Sequence, residues 1–273
     1  MPVIATIERS PLQRATVTAN GQTLNYLRTG GNKPPLVLLH GFTDAAVVWE
    51  TLIPHLAETH DVIAYDARGH GKSSRLTAEP FTLGDLAHDC AGLIDVLALK
   101  DVVLAGHSMG AATAFLVGAW YPEKLSRIVL EDPPFYFTRV PVEMSAWKEG
   151  LVTLQASPRE SILTYYRSEY VGWDEADIQP RVDARLDLDV SIFDVMEWNT
   201  PPYWRDELPK LHIKGLLMTG NTQNGALVSK EVSDYLAQYW HELQVFHSPN
   251  ATHHVRCTHF TDYLNTLRAF LRD

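Results

Sequence analysis

The chain has 273 residues, a formal net charge of −10 and a hydrophobic fraction of 45%, enough to bury a substantial core as one large α/β domain or two small ones. The negative balance argues against nucleic acid or an anionic membrane surface as a partner, and no apolar run approaches the roughly 20 residues of a membrane helix. The two cysteines, Cys90 and Cys257, lie far apart with no metal-like spacing and read as buried thiols.

In chain order, Met1 to Glu8 lacks a basic patch leading into an apolar stretch. No secretory signal is therefore expected, and the expected compartment is the cytoplasm. Residues 14–19 and 22–29 read as two antiparallel strands joined by a turn at Asn20-Gly21. Residues 35–39 (PLVLL) form a buried strand ending at His40-Gly41. Residues 47–60 carry apolar side chains at helical spacing, and 61–65 (DVIAY) is again a strand. The glycine-rich loop Asp66 to Ser74 lacks the spacing of a phosphate-binding loop and reads as structural. Thr82 to Leu99 is an amphipathic helix, with Thr82 and Asp85 as its start signal.

The most informative stretch follows. Residues 101–105 (DVVLA) form a buried strand, 111–120 an Ala-rich buried helix, and Gly106-His107-Ser108-Met109-Gly110 joins them. A strand, a serine between glycines, then a helix makes a nucleophile elbow, whose strained turn leaves no room for a Cβ at Gly106 or Gly110. Residues 126–130 form the next strand, and then the βα alternation breaks from Pro133 to Leu208. This interruption holds Trp147, Trp173, Trp198, Trp204 and eight further Phe or Tyr residues. It reads as a mostly helical cap over the carboxyl ends of the strands, where α/β sheets bind ligands. Strands at 215–218 and 242–246, with helices at 229–239 and 260–271, complete a mainly parallel sheet covered on both faces.

A serine hydroxyl needs a base to take its proton. His253, in the loop between the last strand and the last helix, is the expected base, with His254 the second choice.

Together, His40-Gly41-Phe42, residues 65–73 (YDARGHGKS), Gly106 to Gly110 and Ala251-Thr252-His253 resemble the α/β-hydrolase superfamily with a cap domain. The resemblance covers the chain apart from the interruption. It implies an α/β-hydrolase core of residues 1–132 and 209–273 and a helical cap of residues 133–208. It also implies a serine hydrolase that works through an acyl-enzyme on esters or lactones, with no cofactor and no metal. The family's usual acid follows the strand at 215–218, but the loop Thr219 to Leu227 contains no Asp or Glu. Asn221 stands there instead, and an amide cannot offset imidazolium charge. This departure resembles the minority of the superfamily, macrocycle-opening lactonases among them, whose acid follows the strand after the nucleophile helix. Asp132 is then the expected acid, a missing acid the first alternative, and Glu131 the lesser one. The oxyanion donors implied are the N–H groups of Phe42 and Met109. Gly41, His107, Phe135, Trp147 and Trp198 are expected around the substrate.

The expected activity is hydrolysis of a small, largely apolar carboxylic ester or lactone by a monomer or homodimer, with neither nucleic acid nor membrane as partner. A carbon–carbon bond hydrolase or perhydrolase on the same triad is the alternative, and a non-catalytic ligand-binding protein a third. Ser108 argues against the epoxide hydrolases and haloalkane dehalogenases of this fold, which need an aspartate nucleophile.

Overall fold

Period-two alternation along short apolar strands decides which layer each side chain enters. In the computed structural model, which describes residues 12–136, 144–198 and 203–273, eight strands form one sheet. They are β1 (Gln13–Ala19), β2 (Gln22–Arg28), β3 (Pro35–Leu39), β4 (Asp61–Tyr65), β5 (Val102–His107), β6 (Leu125–Glu131), β7 (Lys214–Thr219) and β8 (Leu243–His247). Their spatial order is β1-β2-β4-β3-β5-β6-β7-β8. β1 and β2 pair antiparallel, β2 joins β4 antiparallel, and every other pairing is parallel. The stretch Met1 to Glu8 lies outside the described residues.

The longer helices are α1 (Leu83–Val96), α2 (Met109–Trp120), α3 (Met144–Gln155), α4 (Arg159–Glu169), α5 (Glu175–Asp187), α6 (Lys230–Tyr239) and α7 (Phe260–Arg272). Val37, Leu39, Leu104 and Leu217 enter one core layer with Leu86, Phe115 and Leu236 of α1, α2 and α6. Leu36, Leu38, Val103 and Leu216 enter the other, with Trp49, Leu52 and residues Tyr263, Leu267 and Phe270 of α7. Thr82 caps α1 reciprocally with Asp85, as its sequence predicts. No helix among the described residues is long and apolar enough to cross a membrane.

The helix expected over residues 47–60 is not continuous. The chain makes a 3₁₀ turn at Ala46–Trp49 and one helical turn at Ile53–Leu56, with Pro54 in its first turn. In an unbroken helix Pro54 would lose the bond to the Glu50 carbonyl and its ring would clash there. At a helix start it costs nothing. The apolar residues that suggested the helix, Val48, Trp49, Leu52, Ile53 and Leu56, are buried all the same. Cys90 is a buried free thiol as expected, whereas Cys257 is only half-buried.

Between β6 and β7 the chain inserts α3, α4, α5 and shorter turns. Their own core is small: Ile162, Leu163, Tyr166, Ile178 and Val182. The insertion is therefore held by what it touches. Phe81 N–H donates to Val195 O and Glu197 N–H to Phe81 O, and Asp189 exchanges bonds with Gly69 O and Leu76 N–H. The deepest tie is electrostatic. Arg181 of α5 forms a two-pronged ion pair with Asp44, at 3.0 Å for each prong, with both side chains almost fully buried. Burial would raise the Asp44 carboxyl, but the charge and hydrogen bonds of Arg181 hold it well below the usual carboxylate range.

Removing one partner of such a pair strands a buried charge. Arg181→Met should lower the unfolding free energy by about 3–5 kcal/mol, read by chemical denaturation, with part recovered in Arg181→Met/Asp44→Asn. An Arg181→Met protein of wild-type stability would contradict the tether.

Candidate active site

Ser108 sits between β5 and α2 at φ 53° and ψ −118°, a conformation costly for a residue with a Cβ. The neighbouring glycines allow it. A Cβ on Gly106 would lie 2.2 Å from Gly110 O, and one on Gly110 would lie 2.3 Å from Leu39 O. That close approach brings the start of α2 against the end of β3. Met109 is the first residue of α2, so its N–H is one of the helix amides without an intrahelical acceptor.

On the adjacent strand, register pairs His107 with Glu131, which sets Ser108 and Asp132 level at the same sheet edge. Asp132 also has a positive φ, 45°, and is fully buried. Its Oδ2 accepts from Leu227 N–H at 2.7 Å and from His253 Nδ1 at 2.6 Å. Its Oδ1 accepts from Val228 N–H at 3.0 Å and the Thr219 hydroxyl at 3.4 Å. The carboxylate is thus fixed on both oxygens. With Nδ1 donating to Asp132, Nε2 of a neutral His253 carries the lone pair that a base needs.

Glu131, the other acid candidate, and the neighbouring polar groups Asn221 and Asp66 are occupied elsewhere. Glu131 accepts from the backbone and guanidinium of Arg256, each at 3.0 Å, in a buried pair whose guanidinium lies 4.0 Å over Trp49. Asn221 accepts from Gln223 N–H and donates to Pro249 O, both at 2.9 Å. It staples the loop after β7 to the loop carrying the base. Asp66 fills the glycine-rich loop, accepting from Ala46 N–H at 2.7 Å and Lys72 N–H at 3.0 Å.

Phe42 follows β3 in a turn whose peptide orientation is fixed. Gly41 O accepts from His40 Nδ1 at 2.8 Å and Asp44 N–H at 3.0 Å. In a planar trans peptide this aims the Phe42 N–H the opposite way. His70 Nε2 bonds Phe42 O at 2.5 Å. Trp147, Phe193 and Trp198 surround the Phe42 ring edge-on at 5.0–5.1 Å, so two of the expected pocket aromatics meet this loop.

Three further expected pocket residues make packing and hydrogen-bond contacts with the fold. Phe135 stacks on Trp204 at 5.2 Å and meets Phe115 at 4.8 Å, packing the insertion onto α2. His107 is 1% exposed and bonds His253 O at 3.1 Å. A Cβ on Gly41 would lie 2.9 Å from His107 Nδ1, so the glycine makes room for that ring. The long-range contacts that decide these roles leave no periodic signal in the sequence. The same holds for His40 and Arg181.

Asp44, His107 and His254 place ligand-capable atoms within 4.8 Å of one another. Both Asp44 oxygens are already in the Arg181 fork, and Arg256 adds a second guanidinium, so this donor set suits a divalent cation poorly. The histidines here are neutral. Burial, then His253 and Arg256, hold His107 well below its usual range, and burial with Arg181 does the same for His254.

The family described as alpha/beta hydrolase fold matches residues 34–161. N-formylmaleamate deformylase of Pseudomonas putida KT2440 is 25% identical over 248 residues, 87% of this chain and 88% of the relative. The crystal structure of N-formylmaleamic acid deformylase from Pseudomonas putida S16 superposes with a TM-score of 0.79 at 22% identity, covering 93% of this chain and all of the other. The enol-lactonase from Burkholderia xenovorans LB400 gives 0.76 at 20% identity, covering 95% of this chain and all of the other.

Two outcomes are expected. Asp132→Asn should cost on the order of ten-thousandfold in turnover, whereas Asn221→Ala should cost at most a few-fold. The reverse order in a steady-state assay would overturn the assignment. The second concerns acid. Burial, reinforced by His40, pushes His70 from 6.5 down to about 4. The unfolded chain therefore binds a proton that the folded protein refuses until about pH 4. This contribution of about 3 kcal/mol is complete above pH 6.5 and fades as pH falls from there to about 4. Melting temperature should drop between pH 7.5 and 4.5, and a flat profile would contradict it.

Proposed function

We propose that the chain, which has the α/β-hydrolase fold, is a serine hydrolase cleaving a small carboxylic ester or lactone. The observation that carries this reading is the 2.6 Å bond from His253 Nδ1 to a buried, fully oriented Asp132, beside Ser108 at the strained elbow.

Ser108 Oγ attacks the substrate carbonyl while His253 Nε2 takes the hydroxyl proton. Asp132 stabilises the imidazolium, and the N–H groups of Phe42 and Met109 receive the oxyanion. His253 then gives its proton to the leaving alkoxide, and the acyl-enzyme forms. A water, deprotonated by the same histidine, attacks the acyl carbonyl, and the second oxyanion collapses with cleavage of the bond to Ser108 Oγ, which takes the proton back from His253 as the acid is released. The insertion between β6 and β7 serves as a cap. Trp147 and Trp198, against Phe42, supply apolar walls that favour an uncharged acyl group at this end.

The deformylase relative, aligned over most of both chains, favours a second reading in which the scissile bond is an amide. The same triad serves, with His253 protonating an amine as it leaves.

A fluorophosphonate probe should add mass to the peptide bearing Ser108, and Ser108→Ala should abolish both labelling and hydrolysis. Labelling of another residue would overturn the mechanism. A panel of p-nitrophenyl esters, lactones and N-formyl amides should give its highest kcat/KM on an ester or lactone. Preference for the amides would select the second reading.

A further inference from the structure

We infer that His107 is a positioning residue, which from within the nucleophile elbow holds the backbone carbonyl of His253 and thereby sets where the base stands relative to Ser108. This rests on the triad proposed above.

His107 ends β5 and is covalently next to Ser108, so its ring moves with the nucleophile. Its Nε2 lies 3.1 Å from His253 O. A carbonyl can only accept, so Nε2 carries the hydrogen, and the tautomer is decided. In the neutral ring Nδ1 is then a bare lone pair, and that atom is buried without a hydrogen-bond partner. The bond to His253 is therefore what the polar edge of this side chain is used for.

The surroundings keep the ring in this state. It packs against the rings of both His253 and His254, each at 4.6 Å, and those two rings lie 5.0 Å from one another. Asp44 lies on the far side, and a free carboxylate there would draw a proton onto Nδ1. The Arg181 fork occupies both its oxygens, so the α5 arginine of the insertion contributes to the tautomer. Gly41 leaves the space into which the ring fits.

His253 is consequently held at two points. Asp132 fixes its ring through Nδ1, and His107 fixes its backbone through the carbonyl. The base sits on a loop between β8 and the last helices that Asn221 holds at Pro249 O and Ala251 O and Glu131 at Arg256 N–H, and the His107 bond adds a hold at the carbonyl of the base itself. A displacement of about 1 Å at a reacting group costs as much as a hundredfold in rate. If the ring were only filler, any side chain of similar size would serve.

Two variants separate these cases. Gln places an amide donor near the Nε2 position, whereas Met fills similar volume without a donor. His107→Met should lower kcat on a p-nitrophenyl ester about tenfold to a hundredfold, with KM changed less than about twofold, and slow fluorophosphonate labelling of Ser108 in parallel. His107→Gln should return kcat to within about threefold of wild type. Equal kcat values for the two variants, whether both wild-type or both depressed, would overturn the inference. Melting curves identify an unfolded His107→Met protein, in which case a folded His107→Gln with depressed kcat overturns it alone. Ser108→Ala runs alongside. Activity surviving that change marks failure of the triad itself, whereas an inert Ser108→Ala with indistinguishable His107 variants marks failure of this inference only.

Discussion

The register between β5 and β6 is the constraint on which the candidate site depends. Both strands are followed at once by a residue with positive φ, Ser108 at 53° and Asp132 at 45°, and parallel pairing of His107 with Glu131 sets the two ends level. A shift of one residue would reverse every side chain along β6 and send the Asp132 carboxylate to the wrong face. The pairing is held by burial on both sides, with Ile128 and Leu130 in one core layer and Val129 in the other. The position of the acid therefore follows from hydrophobic packing some distance below it.

Buried charge is handled consistently around this edge. Glu131 and Asp132 are adjacent and fully buried, yet they serve opposite sides of the sheet end. Glu131 is neutralised by Arg256, while Asp132 receives two backbone amides, a hydroxyl and the His253 ring. Asp44 is matched by Arg181. Two of the buried histidines have a tautomer set by their partners: His40 donates from Nδ1 to Gly41 O and accepts on Nε2 from Ala67 N–H, and His107 donates from Nε2 to His253 O. Such groups add little net stability compared with apolar residues of the same shape, but they fix orientation, and orientation is what a reacting site requires.

Much of this was legible in the sequence because it is local. The elbow announces itself by two glycines about a serine between a strand and a helix. His253 follows from its loop, and Asp132 from the absence of any acid in residues 219–227, where the structure puts Asn221 to work as a staple. What stayed illegible is non-local. Residues 47–60 have the helical period, but Pro54 splits them, and tertiary burial rather than helix formation uses the pattern. The contacts of Gly41, His107 and Phe135 were equally out of reach, since their partners are residues far off in the chain. Arg181 gave no signal at all, being one of many charges in an insertion without strand rhythm.

The acid–base contact joins residues 121 positions apart, with the whole insertion between them. On the proposed mechanism the nucleophile and acid are both encoded before that insertion, and the base after it. A ribosome that has finished the insertion has then delivered a serine and a carboxylate without the histidine that is to join them. Under that mechanism competence would arrive only when the last strand is added at the sheet edge and its loop closes on Asp132. The order of synthesis would itself keep the incomplete protein chemically silent.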